Sequence, residues 1–227
     1  MRSGEELHQG ARRVCFGFDP GGIGKFGWAV LDFKPQLPLQ VRRTGATHNA
    51  KLALEAALRE AEHGEDVLTS GIDSPLYWTP TGERISDRRI RGIVVARGAG
   101  SSATGIVQHP NCLQGACVIQ GPVMALLLRR AIPMLTITEA HPKALLWALG
   151  IANRRRRASD VQSSDLVDLV TGPIGPSEHE RDAVLAGVAA WAAWARPGGW
   201  TNLVEQEVAP LLFTAAPVAY WFPTSAA

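Results

Sequence analysis

Two stretches of this chain end in the same way, and that repetition constrains the fold more than any other feature. Val14-Cys15-Phe16-Gly17-Phe18-Asp19 and Asp66-Val67-Leu68-Thr69-Ser70-Gly71-Ile72-Asp73 are largely apolar runs that close on Gly-Phe-Asp and Gly-Ile-Asp, and each is followed by a proline turn, at Pro20 or Pro75. Short apolar runs bounded by turn residues read as buried strands. Strands buried on both faces belong to a sheet covered on both sides. Ligands in such sheets collect at the carboxyl ends of the strands, where both aspartates fall.

The rest of the chain supplies partners for these strands. Phe26 to Phe33 and Leu39 to Gly45 read as second and third strands of a meander. Leu52, Leu54, Ala57, Leu58 and Ala61, with charged residues between them, predict a helix over 49–63, capped by Gly64. Residues 76–116, rich in Gly, Ser and Arg, read as a long irregular insertion. Helices are predicted over 118–131, 143–149 and 178–195, a strand over 133–138, and an exposed linker over 154–164. Ser177 and Glu180 have the spacing of a capping box. This order predicts an α/β protein with a mixed sheet flanked by helices. The right-handed crossover rule lets the fourth strand lie parallel to the first and beside it. The expected organisation is one domain over 1–227 with an apolar tail over 200–227. Tyr220-Trp221-Phe222 in that tail could cover the core or a second copy of the chain in a homodimer.

Composition excludes several classes. Hydrophobic residues make up 46% of 227, too many for a disordered chain. A net charge of +2 argues against a binder of bulk nucleic acid, though it permits a local basic groove. Three cysteines are too few and too odd in number for a disulfide scaffold, and point to a reducing, cytoplasmic location. The first residues are too polar for a signal peptide. The apolar stretches break before about 18 residues, so no membrane association is expected.

The acids carry the chemistry. If the first and fourth strands are neighbours, Asp19 and Asp73 sit side by side, and adjacent carboxylates repel unless they share a cation. Hard divalent ions with oxygen ligands, Mg²⁺ or Mn²⁺, suit such a pair. Each aspartate read alone is also an ordinary turn residue. Glu139 is a third carboxylate at a strand end, or an acid favouring the dipole of the following helix. His179 and Asp182, three residues apart, share a helix face. Asp182 stands where the last helix turns apolar, and aspartate is rarely buried without a partner.

Gly17-Phe18-Asp19-Pro20-Gly21-Gly22 with Gly27-Trp28-Ala29-Val30, and His179-Glu180-Arg181-Asp182-Ala183, resemble the first and last motifs of RuvC-type resolvases of the RNase H-like superfamily. The middle is more similar to the predicted RNase H-like nucleases of that superfamily. It carries Gly71-Ile72-Asp73-Ser74-Pro75, then Gly82-Glu83-Arg84 with Asp87-Arg88 and Arg91, then Glu139-Ala140-His141-Pro142. The resemblance implies an RNase H-like fold, with a five-stranded sheet of order 3-2-1-4-5 and an antiparallel second strand. It also implies an acidic cluster of Asp19, Asp73 and Asp182, with Glu139 or His179 as an added ligand or base. A RuvC-type enzyme would be expected to carry Glu at position 73 and to lack the arginine-rich segment at 84–97.

The expected function is therefore a metal-dependent nuclease that hydrolyses phosphodiester bonds of DNA or RNA by a two-metal-ion mechanism. Asp19, Asp73 and Asp182 would be the metal ligands, and His179 or Glu139 would position water. Arg84, Arg88 and Arg91 could grip phosphates, or could instead pair with Glu83 and Asp87. Trp78, near Asp73, could stack a base. Two other classes stay open: a non-catalytic module that binds a nucleotide or a protein, and an actin-like phosphotransfer domain. Gly24-Lys25 lacks the first glycine of a phosphate loop, because Asp19 stands there. His109, Cys112 and Cys117 offer soft ligands, but fewer than a structural zinc usually takes. Arg154 to Arg157 read as part of the exposed linker.

Overall fold

β1 (Arg13–Asp19) is buried from Val14 onward, as a strand covered on both faces must be. The computed structural model describes residues 12–62, 65–79, 84–100, 116–212 and 217–224, and Glu83, His109 and Cys112 lie outside them, as does the Cys117 side chain. β2 (Phe26–Asp32) and β3 (Leu39–Thr47) continue the meander as antiparallel partners. α1 (Ala50–Glu60) begins at Asn49, whose side chain accepts from the Leu52 amide. The chain then returns as β4 (Asp66–Ile72), parallel to β1.

The sheet departs from the expected five strands in the order 3-2-1-4-5. It has six strands, in the order β6-β4-β1-β2-β3-β7, where β6 is Thr136–Glu139 and β7 is Val170–Thr171. β7 is two residues long and pairs in parallel with Leu39 and Gln40, so no periodic pattern announces it. β5 (Tyr77–Trp78) lies outside this sheet and pairs with β9 (Leu211–Leu212).

The segment expected to be irregular contains α2 (Ile85–Ala96), whose Ile90 and Val94 are buried. Its apolar residues lie at helical spacing, and the arginines among them masked that spacing. α3 (Ala116–Ala131) precedes β6, and α4 (Pro142–Ala148) follows it with proline in the first turn. The stretch read as a linker forms two short 3-10 turns with Ala158, Val161 and Leu166 buried. In the tail, β8 (Trp200–Asn202) pairs with β10 (Trp221–Pro223), and Tyr220 and Phe222 are buried in the core. No helix among the described residues is long and apolar enough to cross a membrane.

α5 (Glu178–Ala195) sets the geometry of the site. Ser177 and Glu180 close the predicted capping box. The helix lies so near the sheet that a Cβ at Gly17 would fall 1.8 Å from the Ala183 carbonyl oxygen, and one at Gly71 would fall 1.9 Å from that of Ala186. Only glycine leaves room for that approach. It brings the first turns of α5 down onto the carboxyl ends of β1 and β4.

Candidate functional site

Three strand ends lie level. Phe18 pairs with Ile72, and Ile72 with Glu139. Beyond the last pair, the Asp73 amide donates to the Phe18 carbonyl at 2.9 Å and the Ala140 amide donates to the Ile72 carbonyl at 2.8 Å. Asp19 and Asp73 therefore sit at one sheet edge, and α5 adds His179 and Asp182 from above.

Asp19 is bound from the helix. The His179 Nδ1–H donates to Asp19 Oδ2 at 2.5 Å, across 160 residues of sequence. That bond raises the His179 pKa, so the imidazole holds its proton more tightly than a free one. Burial raises the Asp19 carboxyl, and the His179 bond pulls against that rise. Asp73 is pushed well above the usual carboxylate range, first by burial and then by the charges of Asp19 and Asp182. Asp182, 3% exposed, is pushed up to about 6 by burial, and the Arg181 charge opposes the shift. Arg181 donates to Asp182 Oδ1 from Nε at 3.2 Å and from Nη2 at 3.0 Å. Its Nη1 donates to the Val161 carbonyl at 2.9 Å.

Two further groups stand at this edge. Lys143 Nζ lies 2.8 Å from Glu178 Oε1, and its charge lowers the pKa of Asp19, Asp73 and Asp182 alike. His141 Nδ1 is 4.0 Å from Asp73 Oδ1. Sequence reasoning missed Lys143 because it read only as the start of a short helix. The signal available was its rarity, since the chain has four lysines among 23 cations.

Glu139 takes another role from the one expected of a ligand or base. Arg84 grips it with two parallel hydrogen bonds, Nη1 to Oε2 and Nη2 to Oε1, both 2.7 Å. The same guanidinium holds Asp87, from Nε at 2.8 Å and from Nη2 at 2.6 Å. The three side chains are almost wholly buried, and Glu139 Oε2 also accepts the Leu76 amide at 3.0 Å. Glu139 thus ties down the loop that directly follows Asp73.

This corrects the expectation for Arg84, which cannot grip phosphate from inside the protein. The alternative pairing with Asp87 is what forms. Arg88 is exposed on α2 and Arg91 is half-buried there. The cations acting on the three aspartates are instead Lys143, His179 and Arg181. Trp78 is half-buried on β5.

An all-oxygen set of crowded carboxylates has the chemistry that Mg²⁺ or Mn²⁺ requires. Among the described residues, however, no three His, Cys, Asp or Glu side chains converge as they stand on a point that would hold a metal ion. The Asp19 and Asp182 carboxylates are turned onto His179 and Arg181.

No protein-family model and no curated protein matches the chain. Among solved structures it is similar to that of RuvC from Thermus thermophilus, with 13% sequence identity and a TM-score of 0.36, over 79% of this chain and 95% of that one.

Proposed function

We propose that this chain is a nuclease of RNase H-like fold that hydrolyses phosphodiester bonds of DNA or RNA by a two-metal-ion mechanism. One observation carries the reading: Asp19, Asp73 and Asp182 come from two neighbouring strand ends and the helix above them, where the charges of Asp19 and Asp182 raise the Asp73 pKa and that of Asp19 raises the Asp182 pKa. Isolated turn residues or helix caps would not be coupled in this way.

Asp19, Asp73 and Asp182 would hold Mg²⁺ or Mn²⁺. An ion held there lowers the pKa of bound water and offsets charge on phosphodiester oxygens. The chain's own groups do the rest. The Asp19 bond to His179 Nδ1 orients the ring and raises its pKa, which lets it hold or hand over a proton at the site edge. Lys143 offers a positive charge to an incoming phosphate. Glu139 positions the loop after Asp73 through the Leu76 amide. Arg88 and Arg91 on α2 are the remaining candidates for phosphate contacts further out.

One observation favours a second reading, a catalytically silent module. Lys143 and Arg181 already compensate the acids in the way an ion would. The two readings separate in one experiment. Cleavage is measured over a panel of DNA and RNA structures with Mn²⁺, Mg²⁺ or EDTA, beside Asp19→Asn. The nuclease reading expects metal-dependent cleavage that Asp19→Asn abolishes while its circular dichroism stays native. Full activity in Asp19→Asn would refute it.

A further inference from the structure

A cavity of about 620 Å³ has in its wall Lys143, whose charge acts on Asp19, Asp73 and Asp182. Part of that wall is the stretch after α4. The Asn153 amide donates to the Arg156 carbonyl at 2.9 Å, the Arg156 amide donates to the Asn153 carbonyl at 3.1 Å, and the Asn153 side chain accepts the Arg155 amide at 2.9 Å. These bonds close a tight turn and fix where its arginines leave the backbone. Arg156 is bound by Asp165. Arg154 and Arg157 line the cavity, are exposed, and form no salt bridge among the described residues. The Arg154 stem lies over Gly98, where a Cβ would come within 2.5 Å of its Cγ.

Trp147 is the aromatic residue of that wall. It lines the same cavity and is 4% exposed, and its indole Nε1–H has no acceptor among the described residues. A buried donor left unmet is unfavourable and uncommon. Trp191, by contrast, donates to the Lys34 carbonyl at 2.9 Å. Two exposed arginines with no carboxylate partner among the described residues, in one wall with Lys143, suit the cavity to an oxyanion. Arginine forks match phosphate oxygens geometrically, and the volume suits a nucleotide-sized group.

We infer that this cavity is a subsite for the phosphodiester backbone of the substrate strand, holding a phosphate next to the one presented to Asp19, Asp73 and Asp182. The inference rests on the nuclease reading and adds to it a register. Lys143 lies between the two positions, and Arg154 and Arg157 hold the outer phosphate. Trp147 is too buried to offer a face to a base, so this contact is blind to sequence.

The test is fluorescence anisotropy with labelled single-stranded DNA and RNA oligonucleotides and the full chain, in Ca²⁺, at several salt concentrations. Arg154→Ala with Arg157→Ala should weaken binding about tenfold. It should also lower the slope of log affinity against log salt by about 0.7, since the pair neutralises one phosphate of a single strand. Arg59→Ala, on α1, should do neither. An unchanged affinity and slope in the double arginine variant, or an equal loss in Arg59→Ala, overturns the subsite while wild-type cleavage continues to support the nuclease. A wild-type chain that neither binds nor cleaves any oligonucleotide overturns the nuclease reading itself, and the subsite with it.

Discussion

Replacing Arg84 with methionine should destabilise this protein severely, and for a reason unrelated to nucleic acid. The guanidinium is 2% exposed and satisfies two carboxylates at once. Four of its N–H groups reach Glu139 or Asp87 at 2.6–2.8 Å. Methionine fills similar space but leaves two buried carboxylates facing each other without a cation. Breaking a buried ion pair from one side costs about 3–5 kcal/mol, a large part of a typical stability of about 5–15 kcal/mol. Urea unfolding followed by circular dichroism at pH 8 measures the loss as a lower midpoint. The deficit should shrink as the pH falls from 8 to 5. Burial already pushes the Glu139 carboxyl up to about 7, and loss of Arg84 pushes it higher. An acid whose folded pKa exceeds its unfolded value makes the folded state bind more protons, so its penalty is full above the folded pKa and fades below it. Adding Glu139→Gln to Arg84→Met should recover about 1–3 kcal/mol. An unchanged urea midpoint in Arg84→Met, with only oligonucleotide binding lost, would refute the structural role and restore Arg84 as a phosphate ligand.

Two further outcomes follow from the packing and charge of the same region. Asp73→Asn should raise the melting temperature of the metal-free protein at pH 8. The folded pKa of Asp73 lies above its unfolded value, so its repulsion with Asp19 and Asp182 is fully present at high pH and is lost as pH falls toward the unfolded pKa of about 3.9. The gain should be smaller at pH 5, and a lower melting temperature at pH 8 would contradict it. Gly71→Ala should cost at least about 1–3 kcal/mol, the usual penalty of overpacking, because the new methyl meets the helix backbone at Ala186 and not a movable side chain. Urea unfolding checks this, and an unchanged midpoint would mean that α5 does not lie as close to β4 as described.

Much of the architecture was legible because it is local. Apolar runs that end on Asp19 and Asp73 are read within about eight residues. The Ser177–Glu180 capping box lies within one helical turn, and the small residues of α5 announce close packing in their own sequence. The acids at the strand ends follow from those elements and the crossover rule. Arg84 was misread because its partner Glu139 lies 55 residues away, and nothing near Arg84 marks its side chain as buried. The four arginines from Arg154 to Arg157 look alike in sequence. Only the fold binds Arg156 to Asp165 and brings Arg154 and Arg157 into a cavity with Trp147 and Lys143. β7 escaped notice because two residues carry no periodicity, and the strand exists only because β3 offers its edge. Local hydrogen bonding and periodicity decided which segments became strands and helices. Long-range burial decided which charges meet, because a charged side chain takes its partner from whatever the fold brings within reach, not from its neighbours along the chain.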